Sequence, residues 1–109
     1  MERFIRGNIV VIPFPFSDLS ASKKRPALVS ADLHGDDIIL CQIISQQTKD
    51  GYSIPIMDED FSLGSLPVKS NIRPNRIFTA DKNIVIKKVA TINNEAVKVV
   101  IQKIINLLS

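Results

Sequence analysis

Asn93-Asn94-Glu95-Ala96-Val97-Lys98-Val99-Val100-Ile101-Gln102-Lys103-Ile104-Ile105-Asn106-Leu107-Leu108 is the stretch on which the reading of the fold turns. Val97, Val100, Ile101, Ile104, Ile105 and Leu108 recur at three and four residues, which gathers them on one stripe of an amphipathic helix. Asn93 is placed to cap that helix by accepting a bond from a free backbone N–H, and Glu95 falls in the first turn, where the helix dipole favours an anion. Upstream the pattern is different. Residues 8–13, Asn-Ile-Val-Val-Ile-Pro, are β-branched and stop at Pro13, and Phe14-Pro15-Phe16 then leads into a polar loop over residues 17–24.

Short apolar segments continue from there. Residues 26–31 predict a strand, the turn-forming Leu33-His34-Gly35 follows, and residues 36–45 predict a longer strand. Asp50-Gly51 is a hairpin signal before residues 52–56, where Pro55 suits an edge position because it has no N–H to give a ladder. Further strands are expected over residues 67–72 and 85–92, the latter after a turn at Asp81-Lys82-Asn83. Many short strands closed by one helix predict a small barrel or roll whose open face the helix covers.

The chain of 109 residues suits one domain over residues 1–109, and 45% hydrophobic with 23% charged residues is the composition of a globular protein. Its longest apolar runs, such as Ile38-Ile39-Leu40-Cys41, fall far short of the roughly 20 residues that span a bilayer. The N-terminal residues carry charges without a following apolar h-region, so no secretion signal is expected. Cys41 has no second cysteine to pair with, which suits a reducing cytoplasm. Net charge is uneven: residues 1–60 hold 6 Lys/Arg against 9 Asp/Glu, and residues 61–109 hold 8 against 2. A basic second half is compatible with a groove for a polyanion and equally with a solvated face.

Three stretches carry a more specific signal. They are Gly7-Asn8-Ile9-Val10-Val11-Ile12-Pro13-Phe14-Pro15-Phe16-Ser17-Asp18-Leu19 leading to Ser22-Lys23-Lys24-Arg25-Pro26-Ala27-Leu28-Val29; then Ile43-Ile44-Ser45-Gln46; and Leu66-Pro67 followed by Ser70-Asn71-Ile72-Arg73-Pro74-Asn75-Arg76-Ile77-Phe78-Thr79-Ala80-Asp81-Lys82. Together they resemble PemK/MazF-like toxins of type II toxin–antitoxin pairs over nearly the whole chain. The resemblance implies a mainly β fold, an SH3-like β-barrel of the CcdB/PemK kind with a C-terminal helix. It also implies a cytoplasmic homodimer, a groove for single-stranded RNA, a cognate antitoxin that occupies that groove, and endoribonuclease activity on mRNA through attack of the ribose 2′-OH on the adjacent phosphorus.

Such a reaction must take a proton from the 2′-OH, stabilise charge on the phosphoryl oxygens and support the departing 5′-oxygen. Arg25 matches the arginine of the family's Arg-Pro motif, and its planar fork can hold a phosphate bidentately. Ser45 matches the hydroxyl position after the third strand and can both donate and accept. Arg73 matches a second functional arginine. Lys23, Lys24, Phe16, Ser17, Asp18, Gln46, Thr48, Lys69, Asn75 and Arg76 are expected to contact substrate, with Asp81 as a further acid near the groove. Asn75 stands where the family commonly has Asp, and Asn8 where it commonly has Asp; an amide cannot serve as a general base. His34 is alone and Cys41 lies in an apolar strand, so no metal-ligand spacing is present and a reaction without metal or cofactor is expected.

Blander readings stand beside these. Lys23-Lys24-Arg25 taken alone is a solvated loop, and Ser45 is a strand-end hydroxyl bonding its own backbone. Lys69, Arg73 and Arg76 would also suit a charged edge strand, and Phe14 and Phe78 the core. The resemblance leaves two other functions open, a family member that binds RNA or antitoxin without cutting and a gyrase inhibitor on the same barrel.

Overall fold

The structure, a computed structural model, describes residues 3–15, 22–46 and 51–109, with all of their side chains except those of Phe14, Pro15 and Ser22. In chain order the elements are β1 (Asn8–Pro15), β2 (Ser22–Asp32), β3 (Asp37–Ile44), β4 (Ile54–Ile56), β5 (Phe61–Gly64), β6 (Ser70–Asp81), β7 (Lys87–Ile92) and α1 (Asn94–Leu108), with 3-10 turns at Asp58–Asp60 and Lys82–Ile84. The strands form one antiparallel sheet in the order β4-β6-β3-β2-β1-β7-β5. It curls into a half-barrel.

The curl follows from burial on both faces of the central strands. One face carries Ile9, Leu28, Cys41, Ile43 and Ile72, onto which α1 lays Val97 and Val100. The opposite face carries Val10, Ile12, Ala27, Val29, Ile38 and Leu40, covered by Phe4 and flanked by Phe78 and Val85. A strand buried on both faces needs a near-continuous apolar run, and Ile9-Val10-Val11-Ile12 and Ile38-Ile39-Leu40-Cys41 supply it. The helix starts as expected: Asn93 Oδ1 accepts from Ala96 N at 2.9 Å. Pro55 does lie on an edge strand, since β4 ends the sheet.

The largest differences from the sequence reading lie in β2, β6 and β5. β2 begins at Ser22, so Lys23, Lys24 and Arg25 are strand residues paired with Phe14, Pro13 and Ile12. β2 pairs with β3 only from Ala27 onward, so the front of β2 extends past β3 as a ribbon with β1, where charged side chains meet water at little cost. β6 continues to Asp81, well past the expected end at residue 72. Pro74 is tolerated inside it because the pairing with β3 jumps from Gln42↔Arg73 to Cys41↔Ile77, which leaves residues 74–76 outside the ladder. β5 was not foreseen. It is four residues long and pairs with β7 through an irregular register, too short for alternation to announce it.

Candidate active site

Register places the cations. Val10 pairs with Ala27, Ala27 with Gln42 and Gln42 with Arg73, while Ile12 pairs with Arg25. Directly paired residues point to the same side of a sheet, and residues two apart on one strand share a face. Arg25, Gln42 and Arg73 therefore lie on the face that holds Val10, Ile12, Ala27 and Leu40. That face is apolar and covered at the Ile38–Leu40 end, and becomes polar at the end where β3 stops.

There, Arg25 shares an open cavity of about 290 Å³ with Gln42, Ile44, Ser45 and Gln46. Arg25 and Arg73 are each half-buried, while Ser45 and Gln46 are exposed just beyond the end of β3. Ser45 also borders a second cavity of about 430 Å³, together with Lys69, Asn71, Pro55, Met57 and Asp58. The two cavities are neighbours because Ile44 pairs with Asn71 and Asn71 with Pro55. Lys24 points to the opposite face and lines a third cavity, of about 320 Å³, with Val11, Pro26, Leu66 and Lys87.

The remaining candidates are spread more widely. Lys23 is exposed on the ribbon opposite Phe14. Asn75 and Arg76 are exposed in the part of β6 that leaves the β3 ladder. Phe16, Ser17, Asp18 and Thr48 lie outside the described residues. Asp81 corrects an expectation. It pairs with Asp37 at the far end of β3 and accepts a bond from Asn83 N at 2.8 Å. Eight residues of β3 separate that end from Ser45, roughly 25 Å of strand. Phe78 packs against the apolar cluster, as a core residue does.

Gln42, Asn71 and Asp58 line these cavities without having been singled out in the sequence. Gln42 did carry a signal, as the one polar residue inside Ile38-Ile39-Leu40-Cys41-Gln42-Ile43-Ile44. Among the described residues two titrating groups depart from their ordinary range, both away from the cavities. A hydrogen bond from Lys82, 2.8 Å away, holds the Asp32 carboxyl below its usual range against a smaller opposing effect of desolvation. Burial pushes the Cys41 thiol up, partly offset by its hydrogen bond with Ser30.

A curled antiparallel half-barrel closed by a C-terminal helix is a fold found among small toxins. The chain belongs to the family of PemK-like, MazF-like toxins of type II toxin–antitoxin systems, whose model matches residues 5–108. No curated protein matches its sequence. Among solved structures, it is similar to MazE–MazF from Deinococcus radiodurans, with TM-score 0.76 and 16% identity, covering 100% of this chain and 98% of that one. It is also similar to an endoribonuclease from a mycobacterial species, with TM-score 0.73 and 12% identity over 99% and 93% of the two chains. A mycobacterial endoribonuclease in complex with its cognate antitoxin gives TM-score 0.69 at 10% identity, over 97% and 95%. At such identities the likeness is one of fold. No described helix is long and apolar enough to cross a membrane.

Proposed function

We propose that this protein is the toxin of a type II toxin–antitoxin pair and cleaves single-stranded RNA, mRNA included, without a metal ion. The observation that carries this reading is the meeting of Arg25 and Ser45 on one open cavity, with Arg73 on the same sheet face beside Gln42. In the reaction the 2′-oxygen forms a bond to phosphorus, the bond from phosphorus to the 5′-oxygen breaks, the 2′-proton is lost and the 5′-oxygen gains one. The products are a 2′,3′-cyclic phosphate and a 5′-hydroxyl. Arg25 holds the phosphoryl oxygens through two parallel N–H bonds that strengthen as negative charge builds up. Ser45 orients the attacking hydroxyl, and Arg73 adds a second cation to the field felt by the phosphate. Lys23, Gln46, Lys69, Asn75 and Arg76 bind the flanking strand.

A cognate antitoxin restrains the enzyme in this reading. The cavity that joins Lys24 and Lys87 to the apolar Val11, Pro26 and Leu66 suits a chain that alternates acidic and apolar side chains. A homodimer, expected from the resemblance, would extend the RNA path across two copies.

The test is incubation of purified protein with a long single-stranded RNA in EDTA. Fragments with cyclic phosphate ends, absent with Arg25→Ala, are the expected result. Intact RNA beside an active control ribonuclease would reject the enzyme.

A further inference from the structure

The cavity beyond Ser45 contains a side chain that the reaction does not use. Asn71 is 8% exposed, lines this cavity, and its amide makes no hydrogen bond to any described residue. An amide that no protein group engages stays free to bond water or a ligand that enters the cavity. Its neighbour Ser70 has found a partner, donating to Val68 O at 3.0 Å. Asn71 has not, and it faces a space of about 430 Å³ within the size range of small-molecule clefts.

The rest of the lining defines what that space accepts. Pro55 and Met57 give apolar walls against which a flat ring can lie, while Asp58 and Lys69 are exposed at the cavity, their side chains in no hydrogen bond or ion pair among the described residues. Asp58 is an acceptor only, Lys69 a donor only, and Asn71 supplies both. Among the four bases of RNA, guanine alone presents two adjacent donors, N1–H and the N2 amino group, to the two oxygens of one carboxylate, with O6 and N7 left as acceptors for an ammonium or an amide N–H. Adenine and cytosine set a ring acceptor beside their amino group and so turn a lone pair toward the second carboxylate oxygen. Uracil has one N–H between two carbonyls.

We propose that this cavity is a guanine subsite next to the scissile phosphate, with Asp58 as its specificity-determining residue and Asn71 and Lys69 as supporting contacts. The inference rests on the proposed ribonuclease reading for its link to cleavage, through Ser45, which borders both cavities.

Two measurements test it. First, the ends made by the wild-type protein and by Asp58→Asn are mapped on one long RNA. Wild type is expected to cut beside guanine, and the variant to lose about tenfold of that preference, the discrimination of one bidentate pair. Second, short oligonucleotides with 2′-deoxyribose throughout, which lack the attacking hydroxyl, are titrated by fluorescence anisotropy, one containing guanine and one with adenine in its place. The guanine oligonucleotide is expected to bind about tenfold more tightly, and Asp58→Asn to remove the difference. Because Asp58 is exposed and unpaired in its side chain, the variant is expected to melt with wild type.

RNA cut without regard to guanine, with Asp58→Asn unchanged in both assays, would overturn the subsite and leave the ribonuclease standing. Uncut RNA together with Asp58-dependent selection of the guanine oligonucleotide would sink the ribonuclease and keep the subsite. Equal binding of both oligonucleotides by wild type overturns the subsite whatever the cleavage assay gives.

Discussion

Ser30 Oγ and Cys41 Sγ lie 3.1 Å apart across β2 and β3, inside the sheet on the side that α1 covers. The contact gives a buried hydroxyl and a buried thiol one partner each. Thiolate is the species that reacts with disulfide reagents, and burial both shields the sulfur and raises its pKa. Cys41 in the folded protein is therefore expected to react with an aromatic disulfide reagent at neutral pH at least about a hundredfold more slowly than after denaturation, since reaction has to wait for opening of the central strands. Native protein that labels as fast as denatured protein would mean that β2 and β3 do not enclose this residue.

Arg25 permits a sharper test of mechanism than removal alone. If its task is to hold two phosphoryl oxygens in a planar fork, Arg25→Lys keeps the charge and loses the geometry. Arg25→Ala is expected to lower the cleavage rate by about a hundredfold to a thousandfold, and Arg25→Lys to restore only a small part of it. Full activity in the lysine variant would assign the residue a role in general charge attraction instead. Single-turnover rates at saturating enzyme make the comparison, with the melting temperature as the control for folding.

How far the sequence announced this arrangement depends on which physical signal each part emits. The closing helix and its Asn93 cap were legible because a 3.6-residue period and a capping side chain are local properties of the chain. Pro55 could be assigned to an edge because a missing N–H is also local. The continuation of β6 past Pro74 was hidden, since it depends on a shift of pairing with β3 that no stretch of β6 encodes by itself. The same holds for Lys23, Lys24 and Arg25, whose polarity reads as loop until β1 is seen beside them. Arg25 and Ser45 came forward through family resemblance. Asn71 and Asp58 did not, because strand alternation sets the face of a residue and not which loop will fold over it.

The end of the barrel opposite the cavities is tied by charge. Lys82 Nζ lies 2.8 Å from Asp32 and also donates to Gly35 O at 3.2 Å, joining the β2–β3 turn to the 3-10 turn after β6. The folded carboxyl titrates below its usual value of 3.8, so the stability it contributes is fully present above that pH and is lost as pH falls through the lower, folded value. Asp32→Asn is accordingly expected to melt below wild type at neutral pH, with the two melting temperatures converging under acid conditions and in high salt. A gap between them that persists unchanged under strong acid would point to a cause other than this charge pair.

Gly64 offers the severest packing test. It ends β5 with φ at +68°, and a Cβ added there would lie 2.5 Å from Val89 O and 3.1 Å from Ala90 Cα. Both atoms are backbone of β7, which cannot swing aside as a side chain would. The left-handed conformation alone costs an L-residue roughly 1–2 kcal/mol, and the approach to β7 adds to it. Gly64→Ala is expected to destabilise the protein by about 2 kcal/mol or more in urea unfolding, whereas Gly35→Ala has a positive φ but no atom within 4 Å of the new carbon and should cost only the conformational part. Equal losses in the two variants would show that β5 does not lie against β7 as closely as these distances require.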